Sequence, residues 1–460
     1  MEFNPKATAA RSGALTGTIA APGDKSISHR AIICGALAEG ETVIEGLLES
    51  ADVQATMAAM ACLGAKIKKV NRQCWSVVGV GKAELHQPSA PLDFGNSGTG
   101  VRLVMGVVAS APLSVGFSGD VSLCSRPMGR VLTPLRLMGA QVSAAHEAGQ
   151  GDRLPFTLQG TPRPQAITYH MPVPSAQVKS AILFAGLKCA GETCVIEPQA
   201  TRDHTERMFG VFGVDLKQDI TPEGYRRVCL TGNTLLTSCS LSVAGDPSSS
   251  AFLAVAALIV PGSQITITNV MVNPSRTGLY QSLAEMGADI TFSNQRELSG
   301  ESVADLHVRA SALKGVRVPA QRAPSMIDEY PILAIAAACA AGTTILSGLS
   351  ELRVKESDRL SAISAGLQAC GVRVEEGDDS LTIHGCGSAG APSGAIPGGA
   401  QILTHHDHRL AMSFLVMGLV AQDPVTVDGA DMIATSFPGF VEDMMQLGAQ
   451  IHLETPEARP

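Results

Sequence analysis

A short pattern recurs six times along the 460-residue chain and limits the folds that it can adopt. In each copy a glycine follows an apolar residue and precedes alanine or valine, and successive glycines lie 75, 74, 74, 84 and 77 residues apart. The run before each glycine has helical periodicity, and the run after it alternates as a strand does. Each glycine is therefore predicted to adopt the left-handed conformation just after a helix, where the chain turns into a strand. The six are Gly64, Gly139, Gly213, Gly287, Gly371 and Gly448.

A second set of long, apolar helices interleaves with the first. Their predicted starts are Lys25, Gly98, Ser175, Asp246, Ser325 and His408. Because helix and strand alternate in units of roughly 75 residues, the predicted class is α/β (α+β repeats). The longest spacing predicts an insertion around 294–311, and the Pro/Gly/Ser-rich stretch 387–400 is predicted to be a surface loop rather than a linker.

Composition narrows the class of protein. Six repeats exceed one hydrophobic core, so at least two domains are expected. A net charge of −8 argues against a nucleic-acid or anionic-membrane surface, which needs a broad basic face. Eleven scattered cysteines without a Cys-x-x-Cys motif are expected to be free thiols. With no secretory-type apolar segment in residues 1–15 and no apolar run of about 20 residues, we expect a cytoplasmic protein.

Polar residues are concentrated at the predicted helix starts. In the stretch 22–30 a Pro-Gly turn leads to Asp24, a good N-cap, and puts Lys25 and Ser26 in the first helical turn. Arg30 follows one turn later. Unpaired N–H groups and the positive helix dipole make this a predicted anion site, with phosphate the usual anion, although a solvated surface lysine is the simpler alternative.

Similar clusters open five other segments, including a Gly-rich loop whose small residues let backbone N–H groups approach an anion. These segments are 95–102, 125–127, 175–179, 201–204 and 353–359. In the last of them Lys355 and Arg359 are expected on one helix face beside Glu356, and a solvated, salt-bridged face is the alternative explanation.

Two segments add groups for acid–base chemistry and anion binding. Asp328 enters an otherwise apolar helix opening at Ser325, so it is either an N-cap or a proton-transfer group. The His-rich run 405–409 lacks the Cys or Glu partners of a metal motif. We therefore predict that Arg409 binds an anion and that Asp407 and His408 hold it.

The sequence resembles 5-enolpyruvylshikimate-3-phosphate synthases over nearly its whole length and in the right order. The matching segments are 22–30, 95–102, 125–128, 175–177, 202–205, 353–359 and 407–409. The resemblance implies two similar domains, each of three βαββαβ-type units, with an interdomain active-site cleft. It places one domain at 23–244 and the second at 1–22 plus 245–460.

The activity implied is transfer of the enolpyruvyl group of phosphoenolpyruvate to the 5-hydroxyl of shikimate 3-phosphate, with release of phosphate and without metal or other cofactor. A monomer is expected. By the same resemblance, shikimate 3-phosphate is bound by Lys25, Ser26, Arg30, Ser175, Ala176, Gln177, Arg202, Asp328 and Lys355. Phosphoenolpyruvate is bound by Lys25, Gly98, Arg126, Gln177, Arg359 and Arg409.

Three of these residues are candidates for catalysis. Asp328 is the expected base on the attacking hydroxyl, and Glu356 is the expected acid at the methylene carbon. Lys25 is expected to stabilise charge near the bridging oxygen.

The chain departs from the enteric and plant pattern at two places. In the Gly-rich loop Leu103 replaces a proline, and Ser97 and Gly100 also differ. Near the C-terminus Thr435 stands where those members have a lysine. Both departures resemble the bacterial class II branch, whose glyphosate-resistant members have alanine in place of Gly98. Without that Cβ, glyphosate is expected to bind.

Three alternatives remain open at this point. The sister transferase that acts on UDP-N-acetylglucosamine shares the fold but needs a loop with a reactive cysteine, for which Cys124 is the nearby candidate. A non-enzymatic phosphometabolite-binding protein would have no use for the set Lys25, Asp328 and Glu356. A six-repeat DNA clamp is disfavoured by the negative charge.

Overall fold

A computed structural model describes residues 5–144, 152–388, 390 and 395–454 of the chain. Helices and strands alternate throughout these residues. The helices are α1 (Lys25–Leu37), α2 (Ala51–Cys62), α3 (Gly98–Ala109), α4 (Val121–Ser125), α5 (Gly129–Leu137), α6 (Ala176–Gly186), α7 (His204–Val211), α8 (Pro247–Ile259), α9 (Gly278–Glu285), α10 (Tyr330–Cys339), α11 (Arg359–Ala369), α12 (His408–Gly418) and α13 (Phe440–Gln446). The strands are β1 (Ala7–Ala10), β2 (Thr16–Ala20), β3 (Glu41–Glu45), β4 (Lys66–Lys69), β5 (Cys74–Val78), β6 (Leu92–Asp93), β7 (Ser114–Ser118), β8 (Gln141–Ala144), β9 (Phe156–Gln159), β10 (Thr168–His170), β11 (Glu192–Glu197), β12 (Leu216–Ile220), β13 (Arg226–Thr231), β14 (Ser240–Ser242), β15 (Gln264–Met271), β16 (Asp289–Leu298), β17 (Glu301–Arg309), β18 (Arg317–Val318), β19 (Ala341–Ser347), β20 (Arg373–Glu376), β21 (Ser380–Cys386), β22 (Gln401–Ile402), β23 (Val425–Val427) and β24 (Gln450–Leu453).

The chain divides into two compact units. Unit I comprises Gly23–Ala244 and Glu297–Glu301. Unit II comprises Met1–Pro22, Gly245–Arg296 and Ser302–Pro460. The short piece that unit I takes from the second half of the chain is the turn region of a long hairpin formed by β16 and β17. These two strands fill the region in which the longest glycine spacing predicted an insertion.

Each unit contains three four-stranded sheets of one design, which confirms the α/β class. In every sheet one edge strand is parallel to its neighbour, and that neighbour pairs antiparallel with the next strand. The sheet orders in unit I are β14-β3-β5-β4, β6-β7-β9-β8 and β10-β11-β13-β12. Those in unit II are β16-β17-β15-β2, β18-β19-β21-β20 and β22-β23-β1-β24.

The order of elements within a repeat differs from the βαββαβ expected. Along the chain the order is βαβαββ, as in β10–α6–β11–α7–β12–β13. A helix crosses from the first strand to its parallel neighbour, and a second helix leads into an antiparallel hairpin. The strand that is parallel to its neighbour at the edge of a sheet can be too short to give an alternating pattern in the sequence. Three such strands, β6, β18 and β22, have only two residues each.

Three long helices pack together in the core of each unit. They are α1, α3 and α6 in unit I and α8, α10 and α12 in unit II. All thirteen residues of α8 and all ten of α10 are buried, which accounts for their lack of a polar face. The contact between α3 and α6 is close enough that a Cβ on Gly106 would lie 2.3 Å from the Ala181 carbonyl oxygen.

The six repeat glycines behave as predicted. Each follows the C-terminus of α2, α5, α7, α9, α11 or α13 and has a positive φ between 79° and 114°. Glycine adopts this conformation without a steric cost, because it has no Cβ. Each of the six glycines therefore ends its helix and turns the chain toward the strand that follows.

Two predicted helix starts are wrong. Residues Ala320–Ser325 form a 3-10 helix, and α10 begins only at Tyr330. Pro331 has no N–H to donate, so it belongs to the first turn and cannot lie deeper in a helix that starts at Ser325. Similarly, Ser350–Val354 is a 3-10 helix and Asp358 caps α11, so Lys355 does not lie on one helix face with Arg359.

The expectation of free thiols is wrong for one pair. Cys194 on β11 and Cys229 on β13 face each other in the antiparallel register and form a disulfide, although 35 residues separate them. No helix among the residues that the structure describes is long and apolar enough to cross a bilayer. The stretch 387–400 lies partly outside the described residues.

Candidate active site

The start of α1 is organised by its cap and by one ion pair. Asp24 accepts a hydrogen bond from the Ile27 backbone N–H at 2.7 Å, as predicted for an N-cap. Lys25 lies in the first turn, next to Ser26, and its Nζ lies 3.0 Å from Oδ2 of Asp52 on α2. The Lys25 ammonium group is therefore held in place at the positive end of a helix.

Arg30 is almost completely buried within unit I. Its Nε donates to Thr205 Oγ1 at 2.7 Å, its Nη2 to Ser180 Oγ at 2.8 Å and its Nη1 to the Ser26 carbonyl at 2.9 Å. Burial lowers the pKa of its guanidinium group to about 10, and the nearby charge of Arg202 acts in the same direction. Arg30 thus remains a cation at neutral pH, with its orientation fixed by α6 and α7.

The first turns of α3 and α6 are linked through Gln177. Its Oε1 accepts from Arg102 Nη1 at 3.0 Å, and its Nε2 donates to Thr99 Oγ1 at 3.0 Å. Gly98 is the first residue of α3. These contacts bring the N-terminal ends of the two central helices together, as the predicted anion site requires.

Arg126 approaches the same helix start from the end of α4. Its Nη2 donates to Asn96 Oδ1 at 2.7 Å, and a Cβ on Gly98 would lie 3.0 Å from its Nη1. The same Cβ would lie 3.0 Å from Arg102 Nη1. The backbone of Gly98 is therefore closely flanked by two guanidinium groups.

The remaining predicted residues of unit I lie on neighbouring elements. Ser175 is the N-cap of α6 and its Oγ accepts from the Val178 N–H, while Ala176 is the first residue of that helix. Arg202 lies in the connection between β11 and α7. All predicted residues of unit I are thus located at or next to the starts of α1, α3, α5, α6 and α7.

In unit II the corresponding centre is Arg359, which is fully buried at the start of α11. Its Nε lies 2.8 Å from Asp407 Oδ2, its Nη2 lies 2.5 Å from Glu356 Oε2, and its Nη1 lies 3.7 Å from Asp328 Oδ1. Burial disfavours its charge, but the carboxylates of Asp407 and Glu356 outweigh that effect and raise the Arg359 pKa above its usual range.

Asp328 connects three cationic side chains. Lys355 Nζ lies 3.5 Å from its Oδ1, and Arg409 Nη1 donates to its carbonyl oxygen at 3.2 Å. Asp328 is therefore neither an N-cap nor part of a helix, since α10 begins two residues later. The Asp328 carboxylate thus lies beside the cationic groups of Lys355 and Arg359, and in its charged form it can accept a hydrogen bond, and then a proton, from a hydroxyl group.

The predicted way of holding Arg409 is wrong. Asp407 accepts from the Arg409 backbone N–H at 3.0 Å as the N-cap of α12, but its carboxylate pairs with the guanidinium of Arg359. His408 Nδ1 lies 3.3 Å from Thr435 Oγ1. Asp407 therefore orients a different arginine from the one expected.

Two groups of possible metal ligands lie in unit I. In the first, Glu192 accompanies Cys194 and Cys229, whose sulfur atoms are joined in the disulfide, and the second consists of Asp203, His204 and Glu301. His204 Nδ1 lies 2.7 Å from Glu301 Oε1, and Arg207 Nε donates to Asp203 Oδ2 at 2.9 Å. These contacts give each residue of this second group a protein partner at one of its possible ligand atoms. They describe a buried hydrogen-bonded cluster rather than a set of ligands arranged around an open position.

The partners of three residues at these helix starts were not predicted from the sequence. Asp52 and Asn96 lie in or just before the first turns of α2 and α3, where polar residues are common for capping alone. Asp407 was identified but was assigned to the wrong arginine. Their partners are 27, 30 and 48 positions away, which local patterns do not reveal.

Comparison with known proteins gives one consistent result. The family described as EPSP synthase (3-phosphoshikimate 1-carboxyvinyltransferase) matches residues 9–444. The 3-phosphoshikimate 1-carboxyvinyltransferase of Parvibaculum lavamentivorans is 57% identical over 442 residues, which cover 96% of each chain. That of Pseudomonas sp. (strain PG2982) is 57% identical over 451 residues, which cover 98% of each chain.

Solved structures agree with this result. The EPSP synthase of Acinetobacter baumannii superimposes with a TM-score of 0.87 at 42% sequence identity, over 98% of this chain and 100% of that one. The match therefore extends over both units and includes the segments that carry the clusters around Lys25 and Arg359. The chain belongs to the EPSP synthase family.

Proposed function

We propose that the clusters in units I and II bind the two substrates of enolpyruvyl transfer. As a member of its family, the chain transfers the enolpyruvyl group of phosphoenolpyruvate to shikimate 3-phosphate in aromatic amino acid biosynthesis. In the proposed assignment shikimate 3-phosphate is bound by Lys25, Ser26, Arg30, Ser175, Ala176, Gln177, Arg202, Asp328 and Lys355. Phosphoenolpyruvate is bound by Lys25, Gly98, Arg126, Gln177, Arg359 and Arg409.

The observation that carries this assignment is the setting of Asp328. Its carboxylate lies 3.5 Å from Lys355 Nζ and 3.7 Å from Arg359 Nη1, so a potential base is placed beside two groups that bind anions. A protein that only binds phosphometabolites needs the cations but gains nothing from a carboxylate that weakens their attraction for an anion. The presence of this carboxylate therefore favours a catalytic function over a function in binding alone.

The proposed reaction has two steps. Asp328 takes the proton of the 5-hydroxyl as this oxygen attacks C2 of phosphoenolpyruvate, and Glu356 gives a proton to C3, so a tetrahedral ketal phosphate forms. The Glu356 carboxylate then takes a proton back from the methyl group while the C2–O bond to phosphate breaks, which yields the enolpyruvyl ether and phosphate. Lys25 stabilises the charge that develops on the bridging oxygen.

Glu356 needs a proton before it can act as the acid. In this structure its carboxylate pairs with Arg359 Nη2, which favours the charged form. An incoming carboxylate or phosphate group of phosphoenolpyruvate would compete for Arg359. Arrival of the substrate would then release Glu356 and favour its protonation, which links acid activation to substrate binding.

Phosphate release from phosphoenolpyruvate, measured with alternative acceptors, tests the proposed function. Shikimate 3-phosphate should support release, and UDP-N-acetylglucosamine should not. Cys124, the candidate for the reactive cysteine of the sister transferase, is half-buried and its thiol pKa is raised by burial, which disfavours a nucleophilic thiolate. Release with the UDP-sugar alone would overturn the assignment.

The remaining elements of the proposal concern the state of the protein. We take units I and II as the two domains, and we expect a monomer in the cytoplasm that works without metal or organic cofactor. Size-exclusion chromatography with light scattering measures the mass directly, and a value near 47.6 kDa is expected.

A further inference from the structure

Three ionisable side chains of unit I form a completely buried cluster whose members are not proposed substrate ligands. Lys179 is on α6, Glu197 ends β11 and Glu206 is on α7. Lys179 Nζ lies 3.0 Å from Glu197 Oε2 and 2.7 Å from Glu206 Oε1. The exposed fractions of the three side chains are 0%, 0% and 1%. We call this set the Lys179 triad.

Stability alone is a weak reason for such a triad. Each charge loses its hydration on burial, and an apolar cluster of the same volume is often as stable or more stable. Arg226, which is only partly buried, approaches Glu206 Oε1 at 3.8 Å and offsets part of the excess negative charge. The triad therefore calls for an explanation based on what its members hold in place.

Two members of the triad lie next to segments of the proposed shikimate 3-phosphate site. The Lys179 backbone N–H donates to the carbonyl of Ser175, the N-cap of α6, at 3.1 Å. Glu197 Oε1 accepts from both the N–H and the hydroxyl of Thr201, the residue before Arg202. The pair between the Lys179 and Glu197 side chains thus joins the first turn of α6 to the segment that carries Arg202.

A neutral link runs beside the ionic one. Ser180 Oγ and Thr205 Oγ1 lie 2.7 Å apart and join the residues that follow Lys179 and precede Glu206. Both hydroxyl oxygens also accept hydrogen bonds from Arg30. The registration of α6 against α7, across which Lys179 pairs with Glu206, therefore also determines the direction of the Arg30 guanidinium group.

We propose that Lys179 is a positioning residue for shikimate 3-phosphate, because its ion pairs hold the start of α6, the Arg202 segment and Arg30 in a single arrangement. This inference rests on the proposed function. Substrate binding depends on several groups being placed correctly at the same time, and small displacements of such groups are costly.

The test is a comparison of Michaelis constants in purified variants. Lys179→Met should raise KM for shikimate 3-phosphate by roughly 10- to 100-fold, while KM for phosphoenolpyruvate at saturating shikimate 3-phosphate changes less than about threefold. Glu206→Gln keeps the pair between Lys179 and Glu197 and should raise the same KM by a smaller factor. If Lys179→Met does not fold, the KM of Glu206→Gln for shikimate 3-phosphate tests the positioning role in its place.

The double variant Lys179→Met/Glu206→Gln separates positioning from the cost of burying an unpaired charge. It removes one positive and one negative charge, so its melting temperature should recover relative to Lys179→Met. The ionic link between α6 and α7 remains absent, so KM for shikimate 3-phosphate should stay high. If the melting temperature and KM for shikimate 3-phosphate both return toward their wild-type values in the double variant, the triad acts on stability only and the proposal is overturned.

Lys217→Met is the matched control. Lys217 lies on the same sheet as Glu197, and its Nζ lies 3.2 Å from Glu192 Oε1, but both side chains are exposed. Its KM values should equal those of the wild type. If the wild type itself shows no turnover with shikimate 3-phosphate, the proposed function fails. If the wild type is active and folded Lys179→Met keeps its KM for shikimate 3-phosphate, the positioning role fails.

Discussion

Lys25 and Asp52 form an ion pair of 3.0 Å at the start of α1, although 27 positions separate them in the sequence. Both side chains are largely buried, with exposed fractions of 18% and 10%. Water therefore screens this pair less than it would a surface pair. The pair directs the ammonium group that we assign to both substrates, and it gives Asp52 a role that the sequence did not suggest.

Removal of the Lys25 charge should mainly affect the transition state. Lys25→Met is expected to lower kcat/KM by about 100- to 1000-fold, because a charge directed at the bridging oxygen is lost. Asp52→Asn keeps the lysine but loosens its position, so a decrease of roughly tenfold is expected. Steady-state kinetics of both variants, with circular dichroism as a folding check, measures this. A larger decrease in kcat/KM for Asp52→Asn than for Lys25→Met would contradict the roles that we assign to these two residues.

Replacement of Asp328 tests the proposed base. Asp328→Ala should lower kcat by about 100- to 10,000-fold, with a much smaller change in KM for shikimate 3-phosphate, because proton transfer is lost while the neighbouring cations remain. Asp358→Asn alters a carboxylate that only caps α11 and pairs with Arg353, and it serves as the control. If Asp328→Ala retains turnover within a few-fold of the wild type, another group must be the base.

Gly98 should control the response to glyphosate. A Cβ at this position would approach the Nη1 atoms of Arg102 and Arg126 to 3.0 Å and narrow the space beside them. Gly98→Ala is therefore expected to weaken inhibition at least about tenfold, while the wild type is inhibited. Gly210→Ala on α7 is the control, since its Cβ would meet no atom within 4 Å. Equal inhibition curves for the wild type and Gly98→Ala would refute the steric argument.

The pH dependence of stability should report on His29. Its ring is fully buried, Nδ1 lies 2.8 Å from Thr56 Oγ1, and burial with help from Lys25 and Arg30 lowers the His29 pKa well below 6.5. The unfolded chain then binds the proton first, so stability is lost as the pH falls below about 6.5, by at most about 1.4 kcal/mol per pH unit for one proton.

His29→Gln should remove that contribution. The difference in melting temperature between the wild type and the variant is expected to narrow between pH 7.5 and pH 5.5. Differential scanning calorimetry across this range measures it. A constant difference would mean that His29 does not bind its proton more weakly in the folded protein.

The parts of the fold that depend on local chemistry could be predicted from the sequence. The left-handed glycines, such as Gly64, the N-cap Asp24 and the helix start at Asp246 each depend on residues within one turn of the chain. Pro331 shows the limit of this reasoning, since its effect on the start of α10 was missed although the signal was local.

The parts that depend on distant pairing could not be predicted. The disulfide between Cys194 and Cys229 follows from the register of two strands, and that register is set by packing of the whole sheet. The pairing of Asp407 with Arg359 instead of Arg409 depends on the placement of two helices 48 positions apart. A single sequence carries no periodic signal for either contact.

A single-turnover experiment tests the central claim most directly. Stoichiometric enzyme, phosphoenolpyruvate and shikimate 3-phosphate are mixed and quenched, then free phosphate is measured and the organic product is identified by NMR. We expect one enolpyruvyl ether at the 5-hydroxyl for each phosphate released, and neither product in the time of one wild-type turnover with Lys25→Met. Phosphate released without that ether, or an enolpyruvyl ether on a different hydroxyl, would contradict the account.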